Sequence, residues 1–534
     1  MSQSSDHLFI PYHPGQATLL PSSLDSLISP SHPVRVVSEI VDRVNLEPLL
    51  AQYRGGGRPS YHPRMMLKIV VYAYLRNIYS SRRMEDSIKE NIHFMWLSGG
   101  NEPDHNSLNR FRSERLKGGL KTVFSEVVLL LHEAGHLDIK QLYTDGTKLE
   151  GNANRYTFVW AKNVKRHKER IFQQLEELWA YADSVSQQEL MDSRPGDFSA
   201  LSPEEVSQTI ETIDKALKAA PESDPKKRAK LSKGRKNWPK NLRKYQEQES
   251  LLNGRNSYSK TDPDATFMRM KEDHYRNSQL KASYNFQLST HRQFIAHYSL
   301  HQSAADTVTL ISHLEGFNQA YGGLPDEICT DAGYGSEENY EYLTQAGVDA
   351  FLKYNTLDQE QGTSTAKQKP FDQKELHYNQ QKDHYVCPMG QLMTRVQEKT
   401  RKTSTGYQQH ISVYEAQNCQ GCPIRGRCHK GKGNRRIDVN KRLNHLKKRA
   451  KERLNSPKGI EHRKNRSIDV EATFGILKQN HGMRRLSLRG MEKVEIEVGL
   501  YALAHNIRKM IKANKETQKT ENKAKLPSDI VCLN

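Results

Sequence analysis

A series of short strand-like runs between residues 141 and 355 constrains the fold more than any other feature. "QLYTDGTKLEG" (141–151), "SYNFQLSTH" (283–291), "QFIAHYSLHQ" (293–302), "DEICTDAGYG" (326–335) and "DAFLKYN" (349–355) are each bounded by turn residues. "DTVTLISHLEGFNQAYG" and "SEENYEYLTQAG" lie between the later runs and read as helices. Three strands in succession, then helix, strand, helix, strand, describe a mixed sheet whose later strands are parallel and joined by right-handed crossovers. The fold class is therefore α/β.

A chain of 534 residues exceeds one ordinary core, and the sequence divides accordingly. After an N-terminal tail (1–29), residues 30–135 carry helical apolar spacing and predict an all-α domain. The sheet would draw on 136–159, 276–355 and 456–511. Two insertions break it: a basic helical one (160–275) and a polar, Cys-rich one (356–455). A loose tail (512–534) follows. From Lys226 to Lys244 the first insertion holds ten Lys or Arg and no acid, with Trp238 among them. That run predicts phosphate contact or a solvated linker, with Trp238 available to stack on a base.

The formal net charge of +19 favours a polyanionic partner, because each Lys or Arg on a phosphate releases counterions. No run approaches the ~18 apolar residues of a membrane helix. "MSQSSDHLFIPYHPGQ" lacks the basic start and apolar run of a signal peptide. Six cysteines, four of them clustered, suit a reducing interior. The expectation is a nucleic-acid protein of the cytoplasm, associated with the nucleoid and not with a membrane.

Three carboxylates stand out by position. Asp145 lies in the first strand and precedes Gly146. Asp331 ends a later strand before "AGYG". Glu471 lies on a helix, "RSIDVEATFGILKQNHGMRR" (466–485). Ligands gather at the carboxyl ends of strands in open sheets, and hard oxygen donors suit Mg²⁺. Taken singly, each acid has a plainer reading as turn-former, cap or solvated residue. Asp138, Asp262, Asp264, Asp326 and Asp469 compete with them.

Order and context distinguish the three. "TDGTKLEGNANRYTFVW", "TDAGYGSEENYEYL" and "VEATFGILKQNHGMRRLSLRG", preceded by the helical "SSRRMEDSIKENIHFMWLSGGNEPDHNSLNRFR", resemble a bacterial insertion-sequence DDE transposase over most of 30–510. The resemblance implies an RNase H-like core with Asp145, Asp331 and Glu471 as catalytic acids holding two Mg²⁺ (or Mn²⁺) ions. It implies cleavage and transfer of double-stranded DNA at the inverted-repeat ends of a mobile element, by a homodimer or larger assembly. Family members often carry Tyr-x2-Arg-x3-Glu-x6-Lys around the helix acid. Here six residues separate Glu471 from Lys478, but four separate Arg466 from Glu471, and His462 meets the tyrosine position only if the spacing slips by one.

On a regular helical wheel Glu471, Gly475 and Lys478 share a face. Gly475 costs about 1 kcal/mol against alanine and suggests close approach by another backbone or by DNA. Lys478 would meet a phosphate, with Arg466, Arg484, Arg485 and Arg489 extending the contact. A helix-turn-helix formed by "SSRRMEDSIKE" and "NSLNRFRSERL" would carry Asn106, Ser107, Asn109, Arg110 and Arg112 to base edges, with Asp104 or Asn106 as N-cap; plain helix packing is its rival. Cys387, Cys419, Cys422 and Cys428 can close a tetrahedral Zn²⁺ site with His429 in reserve. Reduced core thiols or redox pairing are the other readings, with Cys329 in the core and Cys532 a free tail thiol. Two other functions compete: a catalytically silent DNA-binding derivative of such an enzyme, and an RNase H-type nuclease.

Overall fold

The computed structural model describes residues 23–51, 53, 60–186, 194–220, 223–270, 279–362 and 371–524. Cys532, residues 54–59, residues 1–22 of the N-terminal tail and residues 525–534 of the C-terminal tail lie outside the described residues. The chain forms two compact units, Met1–Gly119 with Ile507–Asn534, and Leu120–Asn506.

The first unit is helical. Pro33–Arg43, Pro63–Leu75, Ser81–Glu90, Ile92–Ser98 and His105–Arg110 are its main helices. Pro63–Leu75 is buried along most of its length, as "PRMMLKIVVYAYL" dictates. Leu120–Glu133, read from the sequence as part of this domain, packs in the second unit instead, with Phe124 edge-on to Tyr298 at 5.0 Å.

The second unit is built on a mixed sheet. Its strands β1 (Gln141–Glu150), β2 (Leu280–His291), β3 (Phe294–His301), β4 (Glu327–Thr330) and β5 (Asp349–Leu352) fall within five residues of the runs predicted from sequence. Their spatial order is β3-β2-β1-β4-β5; β1, β2 and β3 are antiparallel neighbours, and β4 and β5 run parallel to β1. An unforeseen strand, Thr266–Arg269, shares the outer edge of β2 with β3. Leu310–Tyr321 and Glu337–Gln345 are the crossover helices.

The first insertion is a three-helix bundle, Ala161–Val185, Pro203–Ala219 and Pro225–Leu252, with its own apolar core. Trp238 belongs to that core at 8% exposed and so is not free to stack on a base. Its ring lies over Gly234, where a Cβ would come within 2.8 Å of it. The basic run is thus part of a 28-residue helix, around the buried stripe of Leu231, Gly234, Trp238 and Leu242. The second insertion contains a five-stranded sheet that the sequence did not reveal, ordered Arg436–Val439, Gln408–Ala416, Leu392–Lys402, His384–Val386 and Tyr378–Asn379. The last helix, Met491–Ala524, runs past the boundary expected at 511.

Candidate active site

The parallel register of β1 and β4 ends on the pair Thr144 and Thr330. The next residue of each strand is an acid, so Asp145 and Asp331 leave neighbouring strands side by side, about 4.8 Å apart in backbone. Each carboxylate has one oxygen held by a nearby glycine. Asp145 Oδ1 accepts from the Gly146 N–H and Asp331 Oδ1 from the Gly333 N–H, both at 2.7 Å. Gly146 also leaves room for Gln287: a Cβ there would sit 2.3 Å from Gln287 Nε2 and force that side chain to shift.

Glu471 reaches the same place through Arg466. This arginine ends helix Pro457–Arg466. Its Nη1 lies 3.2 Å from Asp145 Oδ2 and its Nη2 2.6 Å from Glu471 Oε1. Burial by itself would lower the pKa of Arg466, but the charges of Asp145, Glu471 and Asp331 outweigh it and the net shift is upward. One guanidinium therefore compensates three carboxylates drawn from two strands and a helix.

The five-residue step from Arg466 to Glu471 would place them about 140° apart on an α-helix. The structure resolves the mismatch with a π-turn over Ser467–Glu471, whose wider i→i+5 closure brings residues five apart onto one side. A second π-turn, Ile476–Asn480, has the opposite effect on the expected phosphate contact. Glu471 and Gly475 face solvent, but Lys478 is rotated inward and is 9% exposed. Nothing in the chain lies within 4 Å of a Cβ placed on Gly475, so no backbone of this chain closes on it. Arg484, Arg485 and Arg489 are exposed. Arg485 and Arg489 each donate to a carbonyl of the segment after β1, Ala153 at 3.2 Å and Asn152 at 2.7 Å.

The competing acids have structural partners. Asp262 is fully buried and accepts from the Tyr284 hydroxyl at 2.9 Å, and Asp264 accepts from the N–H of Met491 at the start of the last helix. Asp469, 7% exposed, accepts from the Gln293 N–H, and burial raises its pKa. Asp138 caps a turn at Lys140, and Asp326 makes an exposed 3.8 Å pair with the same lysine.

Sequence reasoning missed Asp306. A Cβ on Gly333 would lie 3.0 Å from Asp331 Oδ1 and 3.4 Å from Asp306 Oδ2, so the two carboxylates are close neighbours. Asp306 Oδ1 accepts from the buried amides of Asn285 (2.7 Å) and Gln287 (3.1 Å) on β2. Gln287 in turn accepts from the buried hydroxyl of Tyr334. The alternation of Asn285 and Gln287 on one face of a strand was the available signal, since buried amides need polar partners.

In the helical unit Asp104 caps His105–Arg110 by accepting from the Ser107 N–H at 2.7 Å. The connection from Ser81–Glu90 is more than a turn, because helix Ile92–Ser98 lies within it. Asn106, Asn109 and Arg110 are exposed on one face (i, i+3, i+4). Arg112 is not: it lies in a third π-turn, Phe111–Arg115, is 5% exposed, and donates to the Tyr79 carbonyl at 2.5 Å. The cysteines Cys387, Cys419, Cys422 and Cys428 border the five-stranded sheet and take no part in the acidic site. Among the described residues no three His, Cys, Asp or Glu side chains are grouped as a ready metal shell. Arg466 stands between Asp145 and Glu471.

Two family models match the chain. A transposase domain (DUF772) covers residues 22–114, and a transposase DDE domain covers 386–511, including Arg466, Glu471 and the cysteines. The two matches support an insertion-sequence DDE transposase. No curated protein and no solved structure matches it. The matches leave out Asp145 and Asp331. The DDE domain implies an enzyme of the polynucleotidyl transferase and nuclease type with DNA as its substrate, and such enzymes generally use divalent metal ions. Among the described residues no helix is long and apolar enough to cross a membrane.

Proposed function

We propose that this transposase binds the terminal inverted repeats of its own element and catalyses strand cleavage and strand transfer by in-line phosphodiester displacement. The observation that carries the reading is the gathering of Asp145, Asp331 and Glu471 around one guanidinium. The order β3-β2-β1-β4-β5, three antiparallel strands followed by two parallel ones, supports an RNase H-like core.

The acids fit a hard divalent cation in chemistry: all are oxygen donors, and Arg466 already balances charge where cations would sit. They would hold two Mg²⁺ (or Mn²⁺) ions, which supply Lewis-acid stabilisation of the attacking and leaving oxygens. The chain's own residues do the rest. Gly146 and Gly333 aim one oxygen of each aspartate through backbone N–H bonds, leaving the other outward. With cations bound, Arg466 would be free of its carboxylates and available to a DNA phosphate. Arg484, Arg485 and Arg489 line the exposed approach to the same helix. Water attacks the phosphorus at the element end, the P–O bond to the leaving 3′-oxygen breaks, and the freed 3′-OH attacks a target phosphodiester in the same way. A homodimer or larger assembly follows from the need to hold two ends at once.

The test is a cleavage assay on end-containing duplex in Mg²⁺. Asp145→Ala, Asp331→Ala and Glu471→Ala abolish nicking while end binding stays nearly intact. Comparable nicking by all three variants would reject the assignment.

A further inference from the structure

The cysteine cluster is independent of the acidic site. Cys387 follows strand His384–Val386 in a tight loop, "CPMGQ", in which Gly390 adopts a left-handed φ of +80°. That loop curls back so that the Gln391 N–H donates to Cys387 Sγ at 3.3 Å. The second loop has the same character. Cys419 and Cys422 flank Gly421, also left-handed at +69°, and a helical turn, Arg425–Cys428, brings in the fourth sulfur. Cys419 Sγ accepts from the Arg435 N–H at 3.3 Å, and Cys428 Sγ from Arg435 Nη1 at 2.9 Å. Three of the four sulfurs thus already accept N–H donors, the outer contacts that orient the ligands of a bound metal.

Two further observations point to a bound cation. The four cysteines, His429 and Arg435 line one cavity of about 20 Å³, room for a single ion or water but not for an organic ligand. Within that lining, His429 Nε2 is buried with no hydrogen-bond partner among the described residues. Arg435 is 7% exposed, and its guanidinium donates to Cys428 Sγ and the Phe371 carbonyl. A buried guanidinium calls for compensating negative charge. Four thiolates on one divalent ion carry a net charge of −2 and supply it. The cysteines are free, and their sulfurs do not yet form a closed shell. Neutral thiols have no reason to converge; deprotonation and closure accompany metal binding.

We propose that Cys387, Cys419, Cys422 and Cys428 bind one Zn²⁺ as four thiolates, joining the two loops at the end of the five-stranded sheet, with Arg435 as charge-balancing donor. Binding releases the thiol protons to solvent and changes no oxidation state. The full-length chain, purified under reducing conditions, is expected to contain one zinc per chain by elemental analysis. After chelation and refilling with Co²⁺ alone, it is expected to develop thiolate-to-cobalt charge-transfer absorption. Cys419→Ser with Cys428→Ser removes that absorption, and Cys329→Ala, in the core of the other sheet, retains it. Zinc-free protein from zinc-replete cells, no charge-transfer band in the wild-type chain, or a disulfide between any of the four would each overturn the assignment. The wild-type spectrum decides even if the double variant fails to fold.

Discussion

Replacing Arg466 by methionine tests the central charge arrangement most directly. Methionine keeps the unbranched stem and removes the cation. The Arg466–Asp145 contact of 3.2 Å joins side chains only 18% and 14% exposed. A pair of unit charges at ~4 Å is worth about 4 kcal/mol at an effective dielectric of 20. Desolvation of the guanidinium takes back part of that. The Glu471 side chain is 49% exposed, so its arm adds about 1 kcal/mol at most. A net of roughly 2 kcal/mol is what an entering cation must displace in the wild type. By linkage, Mn²⁺ should therefore bind Arg466→Met about 30-fold more tightly than the wild-type chain in the absence of DNA. Equilibrium Mn²⁺ titration of both full-length proteins measures this, with Arg466→Met combined with Asp145→Ala as the control that loses the gain. Equal or weaker binding by Arg466→Met would refute the idea that the guanidinium stands where cations belong.

The other expectations concern neighbours of the two proposed surfaces. Arg110→Ala should relax discrimination between element ends in competition binding without loss of fold, whereas Arg112→Ala should lower stability by about 1–3 kcal/mol through the unsatisfied Tyr79 carbonyl. A uniform loss of affinity for unrelated DNA in Arg110→Ala would make that residue a phosphate contact. Asp306→Asn presents an amide to the amides of Asn285 and Gln287, so it should raise the Mn²⁺ concentration needed for cleavage while leaving end affinity unchanged. An unchanged metal-dependence curve would show that Asp306 does not position Asp331.

The strands of the main sheet were legible because each is short, apolar and bounded by turn residues. The second insertion's sheet was not. Along Leu392–Lys402, "LMTRVQEKTRK", a single residue is buried, so the sequence lacks the alternation that marks a half-buried strand. Asp145 and Asp331 could be chosen from the sequence only by their context; the register brings them side by side, each one residue past the Thr144–Thr330 pair of adjoining strands. Three side chains lie where regular helical spacing would not put them. Arg466 lies beside Glu471 despite its spacing, while Lys478 and Arg112 are buried despite theirs. Each belongs to, or immediately precedes, a π-turn. Propensity and periodicity carry no mark of such a turn, because its extra residue is tolerated by tertiary packing and not encoded by composition.

The widened turn between Arg466 and Glu471 also bears on how such a chain could drift. One codon inserted into a regular helix would swing everything downstream of it by more than a quarter of a circle. Confined to a single loose coil, the same insertion leaves the preceding strands and the following helix where they were. Lineages could then gain or lose that codon, and an aligner would record a shifted signature, while the acid and its basic companion went on meeting at the same spot.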